Sequence, residues 1–258
     1  MEEWIPTLQR FVAAGLALLL VMLRLEAEHF SAAEYDESKD GRSPSFRRRI
    51  AWYGIGFALI AGILFIHPAA REEFFLGAGE DRVKTLVYGF LYGIVGAGCA
   101  LGVALYRYHR VRLPDAWSYP GALINAVSTA LIDEVTFRGA MFGLLLATGL
   151  NPNVANVIQA LAYTLATRLG APGRNRYMLV MALLVGLAGG WVTGITGGIA
   201  AAFLGHSITR FAVFVTTGHA GQFLPRGREE EEIDKKRRPP DGWRVIGPAS
   251  REQASRDR

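Results

Sequence analysis

"ALIDEVTFRGAMFG", residues 130–143, sets Asp133, Glu134 and Arg138 inside otherwise apolar sequence. Ionisable side chains at membrane depth are costly, so each one marks a candidate site and needs a partner. On a helix, Glu134 and Arg138 stand four apart with the acid first, the better order for an ion pair. Asp133 then points about 100° away from Glu134, towards neighbouring helices. Ser128, Thr129 and Thr136 add polar atoms nearby. Asn125, two turns earlier, faces the same cavity or makes a helix-to-helix hydrogen bond.

Outward from this stretch the chain reads as an all-α, polytopic transmembrane bundle of about seven spans, with an eighth if residues 118–150 turn back. Of 258 residues, 51% are hydrophobic and 30 are glycine. Several apolar runs approach the roughly 20 residues that cross a bilayer. Abundant glycine suits helices packed closely in lipid. The runs are Phe11–Leu23 (from Ile5 if Arg10 snorkels), Ile50–Ala70, Thr85–Tyr106, Ser118–Leu150, Val154–Leu169, Tyr177–Thr193 and Ile199–Thr217. The opening "MEEW" and the "RLEAEHF" after the first run lack a signal peptide's pattern, so that run is expected to stay as a span. "NPN", Asn151–Asn153, ends one helix and starts the next. Cys99 is the single cysteine, which excludes an internal disulfide and a Cys-based zinc site.

Lys and Arg in short loops set orientation. Arg24, Lys39, Arg42 and Arg47–Arg49 fall between the first two runs. Arg107, Arg110 and Arg112 follow the third, and Arg168, Arg174 and Arg176 flank the fifth-to-sixth link. Seven spans with the N-terminus outside put all of these, and the tail, in the cytoplasm of a bacterial-type plasma membrane. The expected organisation is a three-span region, 1–117, with a cytoplasmic loop 24–49; a membrane core, 118–217; and a charged tail, 218–258. In the tail, Lys235, Lys236, Arg237 and Arg238 suit anionic lipid headgroups. No nucleic-acid module, P-loop or dinucleotide fingerprint is present.

Two later runs carry polar stripes. Gln159, Tyr163 and Thr167 share one face, and His206 and Arg210 share another. Lipid offers polar groups no partners, so three stripes on three spans are expected to converge. "DEVTFRG" (133–139) resembles the first motif, Glu-Glu-x-x-x-Arg, of the CPBP family of CAAX-type prenyl proteases and bacteriocin-processing relatives. "YTLAT" (163–167) and "HSITR" (206–210) fall where that family has Phe-x-x-x-His and His-x-x-x-Asn or Asp. The resemblance covers roughly 119–217. It implies a helical intramembrane endopeptidase in which the first Glu and the second-motif His activate water. The third-motif His and Asn would stabilise the oxyanion. Carried over, Asp133, Glu134, Arg138 and His206 would be catalytic.

The departures weigh against hydrolysis. Asp133 is one methylene short of the family's Glu. Thr167 replaces the second-motif His and has no accessible pKa near neutrality. Arg210 replaces the Asn and cannot be a base. With His206 neutral, Asp133 and Glu134 balance Arg138 and Arg210, as a closed core in lipid requires. The sequence therefore predicts a non-proteolytic accessory or scaffold subunit of a membrane complex, or a binding component for a lipophilic ligand. Its expected partners are the bilayer and other membrane subunits. The alternative is an active endopeptidase using Asp133 or Glu134 with His206. No cofactor is expected beyond a bound lipid or pigment. Zinc on His206, Asp133 and Glu134 is opposed by the two arginines. Tyr88, Tyr92, Trp117 and Tyr119 would line a ligand groove or form an interfacial belt. His29, His67, His109 and His219 fall in loops or span ends without partners at ligand spacing.

Overall fold

A computed structural model describes residues 4–32, 44–108, 111, 119–171 and 176–217. The tail, with Lys235–Arg238, lies outside the described residues, as do Trp117, His109 and His219. Ten segments follow one another, with no strand among the described residues. They are α1 (Trp4–Leu25), α2 (Pro44–Ile66), α3 (Ala70–Glu73), α4 (Arg82–Tyr108), α5 (Tyr119–Asp133), a π-helical segment (Glu134–Met141), α6 (Phe142–Ala147), α7 (Pro152–Leu169), α8 (Arg176–Thr196) and α9 (Ala200–Thr217). The protein is an all-α membrane bundle. Four stretches, Trp4–Leu25, Phe46–Ile66, Arg82–Tyr106 and Arg176–Thr196, are long and apolar enough to cross a bilayer.

Burial is inverted relative to a soluble protein. Phe65 is 89% exposed and Phe11 72%, whereas Asp133, Glu134 and Arg138 are fully buried. Apolar side chains face outward because lipid solvates them, and charges turn inward to find partners. Close backbone approach builds the interior. A Cβ at Gly89, Gly93 or Gly96 of α4 would run into Leu204, Ile208 or Thr209 of α9. Glycine at these positions lets the two helices touch.

Residues 119–147 form one unbroken helical path rather than two helices. Its middle is wound wider than an α-helix, over Glu134–Met141. Such π-turns occur mostly as single turns, often at functional sites. The α-helical geometry expected from the spacing is therefore replaced along the motif itself. Beyond it, Asn151 caps α7 by accepting from the Asn153 N–H at 2.9 Å, with Pro152 in the first turn. The preceding turn passes through Gly149 at φ +83°, a backbone region that favours glycine.

The ends of the first span differ from expectation. Arg10 does not simply snorkel: its Nε and Nη2 donate to both carboxylate oxygens of Glu73, at 3.0 and 2.6 Å. His67, just past the end of α2, has Nε2 3.5 Å from Glu73 Oε2, and its Nδ1 accepts from the Ala69 N–H at 3.1 Å. Glu73 is carried by the short helix α3. Arg24, counted among the loop charges, sits in the last turn of α1 with its side chain 1% exposed. Trp52 Nε1 donates to the Leu23 carbonyl at 2.8 Å and pins that turn. On the other side, a side chain at Gly170 would strike the Arg24 carbonyl.

Candidate functional site

The π-helical segment carries Glu134 and Arg138, α7 carries Tyr163 and Thr167, and α9 carries His206 and Arg210. The expected convergence of these stripes is present, with one residue added. Arg24 of α1 donates from Nε to Asp133 Oδ1 at 2.7 Å, and its Nη2 lies 3.5 Å from Thr167 Oγ1. The guanidinium thus meets both the first carboxylate of the motif and the position where an imidazole was expected.

Glu134 pairs elsewhere. His206 Nδ1 stands 2.6 Å from Glu134 Oε1. With Glu134 ionised, the carboxylate only accepts and this nitrogen carries the proton. In the neutral ring Nε2 is then the acceptor, and the Tyr163 hydroxyl lies 3.3 Å from it. Arg138 Nη1 is 3.4 Å from the same Glu134 oxygen, too long for a strong charge-assisted bond. Its Cζ lies 4.2 Å above the Tyr163 ring, a cation–π contact. Phe137 meets that ring edge-on, with centroids 5.2 Å apart. A Cβ at Gly189 would meet Arg138 Nε at 2.9 Å, so the bare backbone of α8 leaves room for the guanidinium.

Arg210 does not play the balancing part expected of it. It forms no ion pair with either carboxylate, and its Nε and Nη2 are buried without hydrogen-bond partners. The tally of two anions against two cations is also revised. Arg24 makes three guanidinium groups against Asp133 and Glu134. Asp133 Oδ2 and Glu134 Oε2 each keep a free acceptor. Among the described residues, no group of three or more His, Cys, Asp or Glu side chains could hold a metal ion.

Neighbouring polar residues serve packing. Gln159 Nε2 donates to the Gly186 carbonyl at 2.9 Å and Asn156 Nδ2 to that of Leu187 at 3.0 Å, tying α7 to α8. Gln159 therefore shares a stripe with Tyr163 but not its cluster. Asn125 Nδ2 donates to the Tyr53 hydroxyl at 2.7 Å, the helix-to-helix alternative. Tyr92 is buried and donates to the Val185 carbonyl at 3.0 Å, which fits neither a groove wall nor an interfacial belt. Tyr88 packs edge-on to Trp191 and Tyr119 to Phe214.

Sequence spacing found Asp133, Glu134, Arg138, Tyr163, Thr167, His206 and Arg210, and missed Arg24. The signal available for Arg24 was a lone arginine between leucines at the end of an apolar run. Residues 115–212 match the family model described as type II CAAX prenyl endopeptidase Rce1-like. No curated protein and no solved structure matches the chain. The matched segment holds all three motifs and every residue of the cluster except Arg24, and over that segment the chain is similar to the CAAX prenyl endopeptidases of the CPBP type.

Proposed function

We propose that the chain is a non-proteolytic CPBP-fold protein, working as a scaffold or accessory subunit of a membrane complex or as the binding component for a lipophilic ligand. One observation carries this reading: the carboxylate that would activate water is held by Arg24 at 2.7 Å, with Thr167 beside it. A general base must be free to take a proton and contributes about 10²–10⁴-fold to rate. Asp133 in contact with a permanent cation is a poor base, and neither Thr167 nor Arg24 can replace the imidazole. The pairing suits a structural core, where removing one partner leaves an uncompensated charge. We also place the N-terminus outside and the tail in the cytoplasm, on the loop charges named above.

The Glu134–His206 contact at 2.6 Å favours a second reading, an endopeptidase that uses this pair instead of Asp133. Purification from the native membrane in mild detergent, with co-purifying chains identified, separates the two. A stoichiometric membrane partner supports the subunit reading. A monomer that cleaves membrane peptides and loses cleavage on Glu134→Gln supports the second.

A further inference from the structure

Among the described residues, the cluster has one positive charge too many. Arg24, Arg138 and Arg210 face Asp133 and Glu134, with His206 between them. Protonating His206 or either carboxylate only widens the excess. A buried charge without a counter-charge is strongly unfavourable, more so in a lipid-surrounded core. The surplus lies on Arg210, which is 6% exposed.

Arg138 also has guanidinium nitrogens without hydrogen-bond partners, but it has Glu134 at 3.4 Å and the Tyr163 ring beneath it, whereas among the described residues Arg210 has neither an ion pair nor a ring contact. Its Nε and Nη2 lack partners, and these two nitrogens form the side-on fork of a guanidinium. Arg10 uses the same two nitrogens to hold both oxygens of Glu73. A fork of this kind matches a planar carboxylate in bidentate fashion. Arg210 lines a cavity of about 30 Å³ between α7, α8 and α9, with Tyr163 and His206 beside it and Met178, Met181 and Val213 on its apolar side. That volume admits a group of the size of a water or a carboxylate. The two methionines, on flexible unbranched side chains, can part around an acyl chain.

We propose that this cavity binds the carboxylate of a single-chain amphiphile, a long-chain fatty acid. Its head lies on the Nε/Nη2 fork of Arg210, and its chain leaves past Met178, Met181 and Val213 towards lipid. The anion completes the charge balance of the core. The inference names the ligand in the binding form of the non-proteolytic reading and rests on that reading.

The test is equilibrium binding of radiolabelled oleate to the full chain, delipidated in mild detergent. Saturable binding is expected. Unlabelled oleate should compete, and methyl oleate, with the same chain and no charge, should compete at least about tenfold more weakly. Arg210→Gln should weaken binding about ten- to hundredfold, the size of a lost charge-assisted pair. Val213→Trp, which leaves the fork intact and fills the chain's exit, should weaken it as well. Absence of saturable binding overturns the proposal. So does equal competition by methyl oleate, or binding of oleoyl lysophosphatidate as tight as that of oleate. These wild-type comparisons decide even if Arg210→Gln fails to fold. Peptide cleavage is measured on the same preparation. No oleate binding and no cleavage removes this inference alone, whereas cleavage removes the reading beneath it.

Discussion

Arg24 and Asp133, 109 residues apart in the chain, form a 2.7 Å ion pair with side chains 1% and 0% exposed. The pair joins the first span to the first of the three motifs. Replacing Arg24 by alanine leaves Asp133 charged and unpartnered. The expected loss is about 3–5 kcal/mol of stability, read as a large fall in thermal midpoint in detergent. Replacing both partners by apolar residues of similar size, Arg24→Met with Asp133→Leu, should cost far less. Equal losses for the single and double variants would show that the pair is not a unit.

Thr167 lies beside Arg24, with its Oγ1 3.5 Å from Nη2. Thr167→His alone is therefore expected to leave the protein without peptidase activity. The new imidazole would meet a guanidinium, not a carboxylate free to share a proton. Restoring a catalytic site should require removing Arg24 as well, together with Asp133→Glu and Arg210→Asn. Turnover by the single Thr167→His variant would show that Arg24 does not block the position.

The contact of α4 with α9 depends on missing side chains. A Cβ at Gly96 would overlap Thr209. Gly96→Ala is expected to destabilise by about 1–3 kcal/mol, the usual cost of overpacking. Gly96→Ala with Thr209→Ala should recover part of the loss, since neighbours in contact are not additive. No recovery in thermal unfolding would place the strain elsewhere.

Acid should weaken the Arg10–Glu73–His67 corner in two stages. Burial holds His67 below the ordinary imidazole value, while Glu73 pulls the other way. The hydrogen bond from Arg10 is the main reason Glu73 lies below the usual carboxylate range. Both folded values are depressed, so both contributions are complete above the unfolded values. The His67 part is lost as pH falls below about 6.5, and the Glu73 part on further fall through the carboxylate range. His67→Gln should remove the first decline in thermal midpoint and Glu73→Gln the second. A wild-type midpoint independent of pH from neutrality to the carboxylate range would contradict this account.

The bundle and most of its site were legible in the sequence because membrane cost is visible residue by residue. A charge inside an apolar run needs a partner, and Asp133, Glu134, Arg138, His206 and Arg210 stand out for that reason. Arg24 did not, because an arginine at the end of a span looks the same whether it points out to headgroups or in to a carboxylate. Only the pinning of its turn by Trp52 and Gly170 decides between them. The π-helical winding of Glu134–Met141 left no mark either, since the same residues also fit an α-helix. Tyr92 looked like an interfacial aromatic, yet a Cβ at Gly205 would collide with its ring, and that space draws it inward.

The central claim is that a CPBP-type site closed by Arg24 does not hydrolyse peptides. It is tested most directly by incubating the purified chain, in detergent and in vesicles, with a fluorogenic prenylated peptide. Wild type, Glu134→Gln and His206→Ala should be indistinguishable, all at the background rate. Cleavage by wild type that disappears in Glu134→Gln, with the fold retained, would contradict the claim.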